Sequence, residues 1–231
     1  MTRVRQLADS LWIVDGPVVR WFLPFPTRMT IVRLSGGGLF VHSPIALDDA
    51  LRCAVEALGQ PRFLVSPNKL HHLFLSQWQQ AWPGALSFAP PGLAHKRADL
   101  AFQGELGSTP HPAWAPDVDQ LVFRGSRLLD EVVFFHKASR TLILGDLIEN
   151  FDPASLSWFH RMVARFGGVL APHGHTPWDF RQSFLGHRDE ARQCLRRMRD
   201  WAPGRVVMCH GIPVQENALP FLESAFAWLD H

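Results

Sequence analysis

Cysteine is scarce in this chain. Cys53, Cys194 and Cys209 are unevenly spaced and form no CxxC pair, which excludes a disulfide scaffold and fits a reducing cytoplasm. No stretch reaches the roughly 20 apolar residues of a membrane span, and the opening MTRVRQLADSLW lacks the apolar centre of a signal peptide. Charged residues make up only 19%, and a formal net charge of +2 gives no electrostatic case for nucleic acid or a membrane surface. The run RDEARQCLRRMRDW is a local exception whose arginines fit a solvated helix face. Tyrosine is absent beside nine tryptophans, an imbalance for which we have no physical account. No Gly/Ser-rich linker, charge block, repeat or low-complexity tract divides the sequence, so one domain over residues 1–231 is expected.

Apolar residues, in contrast, make up 47%, enough for a sizeable core. LWIVDGPV and MTIVRLSGGGLFVHSPI read as opening strands, with the glycines as a hairpin turn. LDDALRCAVEALG places Leu47, Leu51, Val55 and Leu58 on one stripe and predicts a helix. RFLVS is a short buried strand, and HHLFLSQWQQAW predicts a helix ended by Pro83-Gly84. Prolines break the stretch from APPGLAHKRADLAF to TPHPAWAPD into loops and short strands. VVFF and TLIL flank the turn HKAS as a hairpin buried on both faces. DPASLSWFHRMVARFG predicts a helix with Asp152 as N-cap and Pro153 as its first residue. HRDEARQCLRRMRDW predicts another, burying Ala191, Cys194, Leu195, Met198 and Trp201. RVVMCHG is a strand running into a glycine turn, and ENALPFLESAFAWLDH a closing helix. The pattern is that of a sheet-rich α/β domain with helices on its outer faces.

Three of these strands run into metal-competent side chains: RFLVS into His71-His72, TLILG into Asp146, and VVMC into His210. A rigid strand fixes the base of the loop beyond it, which is where α/β folds place functional groups. Imidazole and carboxylate suit zinc, iron or manganese, so His71, His72, Asp146 and His210 are candidate ligands of one divalent ion, zinc foremost. Taken one at a time, they also read as a capped helix start and ordinary turn residues. His173 and His175 form an HxH flanked by prolines and fit a loop. His95, His111, His136, His160, His187 and His231 fit surface or loop positions. Cys209 fits a buried small hydrophobe, and Trp78 and Trp82, one helical turn apart, fit core.

A strand leading to an HxHxDH-like word, a later hairpin ending in Gly-Asp and a last strand ending in His-Gly together resemble the metallo-β-lactamase superfamily. The words that carry the likeness are PNKLHHLF, SRTLILGDL and VVMCHGIPV, with LADSLWIVDGPV and MTIVRLSGGGLFVHSPI as the opening hairpins. The likeness is in particular to a branch with an altered first motif. It implies a four-layer αββα sandwich. Pro67 and Lys69 fall where two histidines of a first metal site belong, and Arg127 where a third does. His71, His72, Asp146 and His210 fall on the second site. The resemblance thus implies a single-metal hydrolase of an ester, amide, thioester or phosphoester, acting on a small molecule and with Asp146 in the catalytic centre. It leaves open a non-catalytic binding protein, or oxidation at one iron. Lys69 could replace the charge of the missing ion or point to water. Glu131 is a further ligand or an acceptor for an imidazole N–H, or simply an acid at a strand start. His42 falls at a strand end near the expected site.

Overall fold

The computed structural model describes residues 4–20 and 23–230. Its first sheet has seven strands in sequence order. β1 (Val4–Ala8), β2 (Leu11–Arg20), β3 (Pro24–Arg33) and β4 (Leu39–His42) run antiparallel. β5 (Pro61–Val65), β6 (Leu86–Ala89) and β7 (Gly104–Glu105) continue it in parallel. The crossovers carry α1 (Asp49–Leu58) and α2 (Leu75–Ala81), and α3 (Leu93–Lys96) follows β6. In the second sheet β8 (Val118–Phe123), β9 (Glu131–His136) and β10 (Thr141–Leu144) are antiparallel, and β11 (Arg205–Met208) pairs parallel with β10. α4 (Trp158–Gly167), α5 (Trp178–Gln182) and α6 (Arg188–Asp200) lie between β10 and β11, and α7 (Ala218–Ala225) closes the chain.

Alternation along the strands builds the layers. In β5, Phe63 and Val65 point between the sheets and Leu64 points outward onto α1 and α2. In β9, Val132 and Phe134 face the first sheet, whereas Val133 packs under α6 and α7. Both faces of the second sheet are therefore dry, which is why VVFF and TLIL lack polar alternation. Each such side chain contributes roughly 1.5–3 kcal/mol on burial. The result is an αββα sandwich, as the resemblance implies. Trp78 and Trp82 pack against each other within the core, their ring centroids 4.9 Å apart and their planes tilted by 37°, as their spacing suggests. Among the described residues no helix is long and apolar enough to cross a membrane.

Two helix starts differ from the sequence reading. α2 begins at Leu75 rather than His71, because Asn68 Oδ1 accepts the Leu70 N–H at 2.9 Å and His72 N–H bonds back to Leu70 O at 3.0 Å. Such local bonds compete with a helix. Asp152 caps only a short 3-10 turn, Pro153–Ser155, and α4 restarts with Ser157 as its own cap. The strands β1 and β8 were not expected. His231, expected in a loop, lies outside the described residues.

Candidate metal centre

The C-terminal ends of β5, β10 and β11 bring His71, Asp146 and His210 together, with one potential ligand atom from each within 4.8 Å of the others. Nε2 of His71 stands 3.0 Å, and Nε2 of His210 2.9 Å, from the same oxygen, Asp146 Oδ1. The far side of each ring is tied down. His210 Nδ1 donates to the Pro26 carbonyl in β3 at 2.7 Å, and His71 Nδ1 meets Ser43 Oγ just past β4 at 2.6 Å. An imidazole whose Nδ1–H is committed to a carbonyl presents its Nε2 lone pair, the form that binds a cation. Ser43 does this from a left-handed backbone, φ 54°, which a non-glycine residue holds only at a cost.

Asp146 is fixed from behind. Asn68 Nδ2 donates to Asp146 Oδ2 at 2.9 Å and to Glu131 Oε2 at 3.0 Å. Glu131, buried at the start of β9, also accepts the backbone N–H of Gly145 at 2.8 Å and of Asp146 at 2.6 Å. A Cβ at residue 145 would stand 2.7 Å from Glu131 Oε2, so a larger residue there would displace this hydrogen-bonded carboxylate. Burial and the neighbouring Asp146 push the Glu131 carboxyl up to about 7. For Asp146 itself, burial is outweighed by His71 and His210, which hold it well below the usual carboxylate range. Against the same burial, Asp146 keeps His71 well above, and His210 above, the ordinary imidazole value.

The other expected residues are placed differently. His72 stands apart from the cluster: its Nδ1 faces Arg97 at 2.7 Å, and burial together with Lys96 and Arg97 lowers its pKa. Adjacent residues in the turn after Asn68 diverge, so one imidazole reaches Asp146 and the next does not. Lys69 turns its ammonium to Gly92, because the Asn68 turn directs residue 69 away from Asp146. The lysine lining the cavity in front of the cluster is Lys96. Glu131 touches backbone N–H groups and Asn68 rather than an imidazole. His42 is fully buried at the end of β4, edge-on to Phe134 and beside the Cys209 thiol, and neither of its ring nitrogens makes a hydrogen bond of good geometry. His173 and His175 stay out of the cluster, the latter with Nδ1 3.1 Å from Gly168 O.

Sequence reasoning missed Ser43, Asn68 and Glu149. Glu149 is buried and lines the same cavity as the cluster, and burial pushes its carboxyl up to about 8. It also missed Arg28, which pairs with Asp15 at 2.6 Å and donates to the carbonyls of Met208 and Gly211 on either side of His210. The Pro-Asn pair before the histidines was an available turn signal for Asn68, whereas nothing local marked the others.

Two imidazole nitrogens and one carboxylate oxygen, each held from behind, fit a single divalent cation. With three protein donors instead of the expected four, coordination positions stay open to other ligands.

The chain resembles several solved structures. DIM-1 metallo-β-lactamase shares 15% identity at TM-score 0.64, covering 98% of this chain and 96% of that one. A metallo-β-lactamase from Hirschia baltica shares 14% at TM-score 0.66, with the same coverage. Rubredoxin oxygen:oxidoreductase from Desulfovibrio gigas shares 10% at TM-score 0.65, over 98% of this chain and 61% of that one. At such identities the likeness establishes the metallo-β-lactamase fold. No curated protein matches the chain. A family model described as "Domain of unknown function (DUF4336)" matches residues 8–157, a span that holds His71 and Asp146 and stops before His210. With more than half of its length matched, the chain belongs to the DUF4336 family.

Proposed function

We propose that this chain is a hydrolase that holds one divalent metal ion at His71, Asp146 and His210. The observation that carries the reading is the approach of two imidazole Nε2 atoms, at 3.0 and 2.9 Å, to one carboxylate oxygen. When bound, such an ion would act as a Lewis acid, easing the ionisation of water near neutral pH and polarising an ester, amide, thioester or phosphoester. Ser43 and Pro26 set the ring planes, and Asn68 and Glu131 set the carboxylate. Glu149 places a carboxyl in the same cavity that burial keeps protonated near neutrality, the form a general acid needs. Zinc suits this donor set, and the three unpaired thiols suit a reducing cytoplasm.

A second reading rests on the same donors. Two histidines and one carboxylate with open positions are also the set of mononuclear iron oxygenases. Metal analysis of untagged protein tests both readings. We expect one ion per chain in the wild type and in His72→Ala, and loss of that ion in His71→Ala and His210→Ala. Metal retained by both of the latter variants would remove the site. A screen of esters, thioesters and phosphodiesters with and without chelator then separates enzyme from binder, since turnover insensitive to chelation counts against a metal hydrolase.

A further inference from the structure

The cluster lines a cavity of about 920 Å³ whose other walls are largely apolar. Leu23, Phe25, Ile45, Leu129, Val169 and Phe180 supply much of the surface. The apolar lining continues outward: Leu70, Leu73, Leu128, Phe166 and Trp178 line the same cavity while remaining 46% to 80% exposed. Exposed apolar side chains gathered at the mouth of a cavity mark a place where something apolar binds.

The polar side chains of the lining point to the same ligand, because most already have protein partners. Thr27 Oγ1 donates to Pro17 O at 2.8 Å, Ser43 Oγ meets His71, His72 Nδ1 meets Arg97, and Lys96 Nζ donates to Lys69 O at 2.9 Å. Asp179 Oδ1 likewise accepts the Phe180 N–H at 2.9 Å, which leaves Glu149 and the second oxygen of Asp179 to meet a ligand away from the cluster. A sugar or nucleotide would give up its water here for few new hydrogen bonds, a costly exchange. Outside the metal centre, whose bound ion would offset Asp146, the lining sets the carboxylate of Asp179 against the single ammonium of Lys96 and so offers a charged substrate group no net attraction.

We infer that the substrate is an uncharged ester or thioester of a medium or long acyl chain, with the chain in the apolar cavity and the carbonyl at His71, Asp146 and His210. This rests on the hydrolase reading above and adds the substrate class. The reaction adds one water across the acyl C–O or C–S bond and yields a carboxylic acid and an alcohol or thiol, so no oxidant or reductant is needed.

Binding of neutral methyl ketones, ester isosteres that cannot be hydrolysed, tests the inference apart from turnover. Calorimetry and tryptophan fluorescence would follow 2-pentanone through 2-undecanone on the wild type and on a Leu128→Asp/Phe166→Asp variant. Both positions are exposed, so the variant should keep its fold, which its melting temperature checks. Affinity should rise with each methylene, by up to about fourfold, and the double variant should bind 2-undecanone at least tenfold more weakly. The kcat/KM for nitrophenyl esters should climb from acetyl to decanoyl. Affinity independent of chain length, or unchanged in the folded variant, would overturn the inference. If the ketones behave as expected while no ester or thioester is cleaved, the apolar site stands and the hydrolase reading fails. If esters of every length are cleaved equally and the ketones do not bind, the hydrolase stands and the acyl site fails.

Discussion

Glu131 accepts the backbone N–H of Asp146 at 2.6 Å, tying the start of β9 to the loop that leaves β10. Both carboxylate oxygens of Glu131 receive N–H donors. In Glu131→Gln an amide NH2 would have to face one of them. We expect that variant to lose about 1–3 kcal/mol of stability in urea unfolding and roughly 10- to 100-fold in metal affinity. A metal-competition titration with unchanged affinity would show that the tie does not position Asp146.

Ser43 combines a strained backbone with a bond to His71, and two substitutions separate these roles. Ser43→Ala removes the hydroxyl and keeps the strain; Ser43→Gly removes both. Metal affinity should fall alike in the two variants, whereas thermal unfolding should find the glycine variant the more stable, by about 1 kcal/mol. Equal stability would mean that φ 54° at this position carries no cost.

Much of this architecture is legible in the sequence, since short apolar runs punctuated by glycine turns leave few alternatives to strands. The hairpins of β3–β4 and β9–β10 follow from such runs, and so do the positions of His71, Asp146 and His210 past strand ends. β1 was hidden because VRQLA has only weak alternation, and β8 because it follows a proline-rich stretch that reads as loop. His72 illustrates a different limit. Neighbours in sequence look equivalent, but a single side-chain bond from Asn68 to the Leu70 N–H sends the two imidazoles apart. Asn68 and Glu131 meet across 63 residues, and Asn68 and Asp146 across 78, so no local pattern announces their network.

Glu149 should leave a mark on stability against pH. Its folded value is about 8, above the ordinary 4.5. Below about pH 4.5 it is protonated in both states and costs nothing. Between 4.5 and 8 the unfolded chain ionises and the folded one does not, so stability falls as pH rises, by up to about 1.4 kcal/mol per pH unit. Glu149→Gln lacks this term. Measured in chelator, it should match the wild type near pH 4.5 and be the more stable at pH 8. Glu131 contributes with the same sign up to about 7 in both proteins and cancels in the difference. Parallel urea midpoints from pH 5 to 8 would argue against a neutral Glu149.

Metal binding should expel protons. Asp146 holds His71 and His210 above the ordinary imidazole value, whereas a ligand imidazole must be neutral. Affinity should therefore weaken as pH falls through the histidine range. Calorimetric enthalpies at pH 7 should change with the ionisation enthalpy of the buffer. Enthalpies identical in phosphate and Tris would show that both rings are already neutral.

His71 hangs from the sheet that contains β5, while Asp146 and His210 hang from the sheet that contains β10 and β11. An ion shared by the three is thus a further clasp across a seam that Asn68, Arg28 and the Pro26–His210 bond already cross. Loading it should slow hydrogen exchange together at the ends of β5, β10 and β11, because separating the halves would then require releasing the ion first.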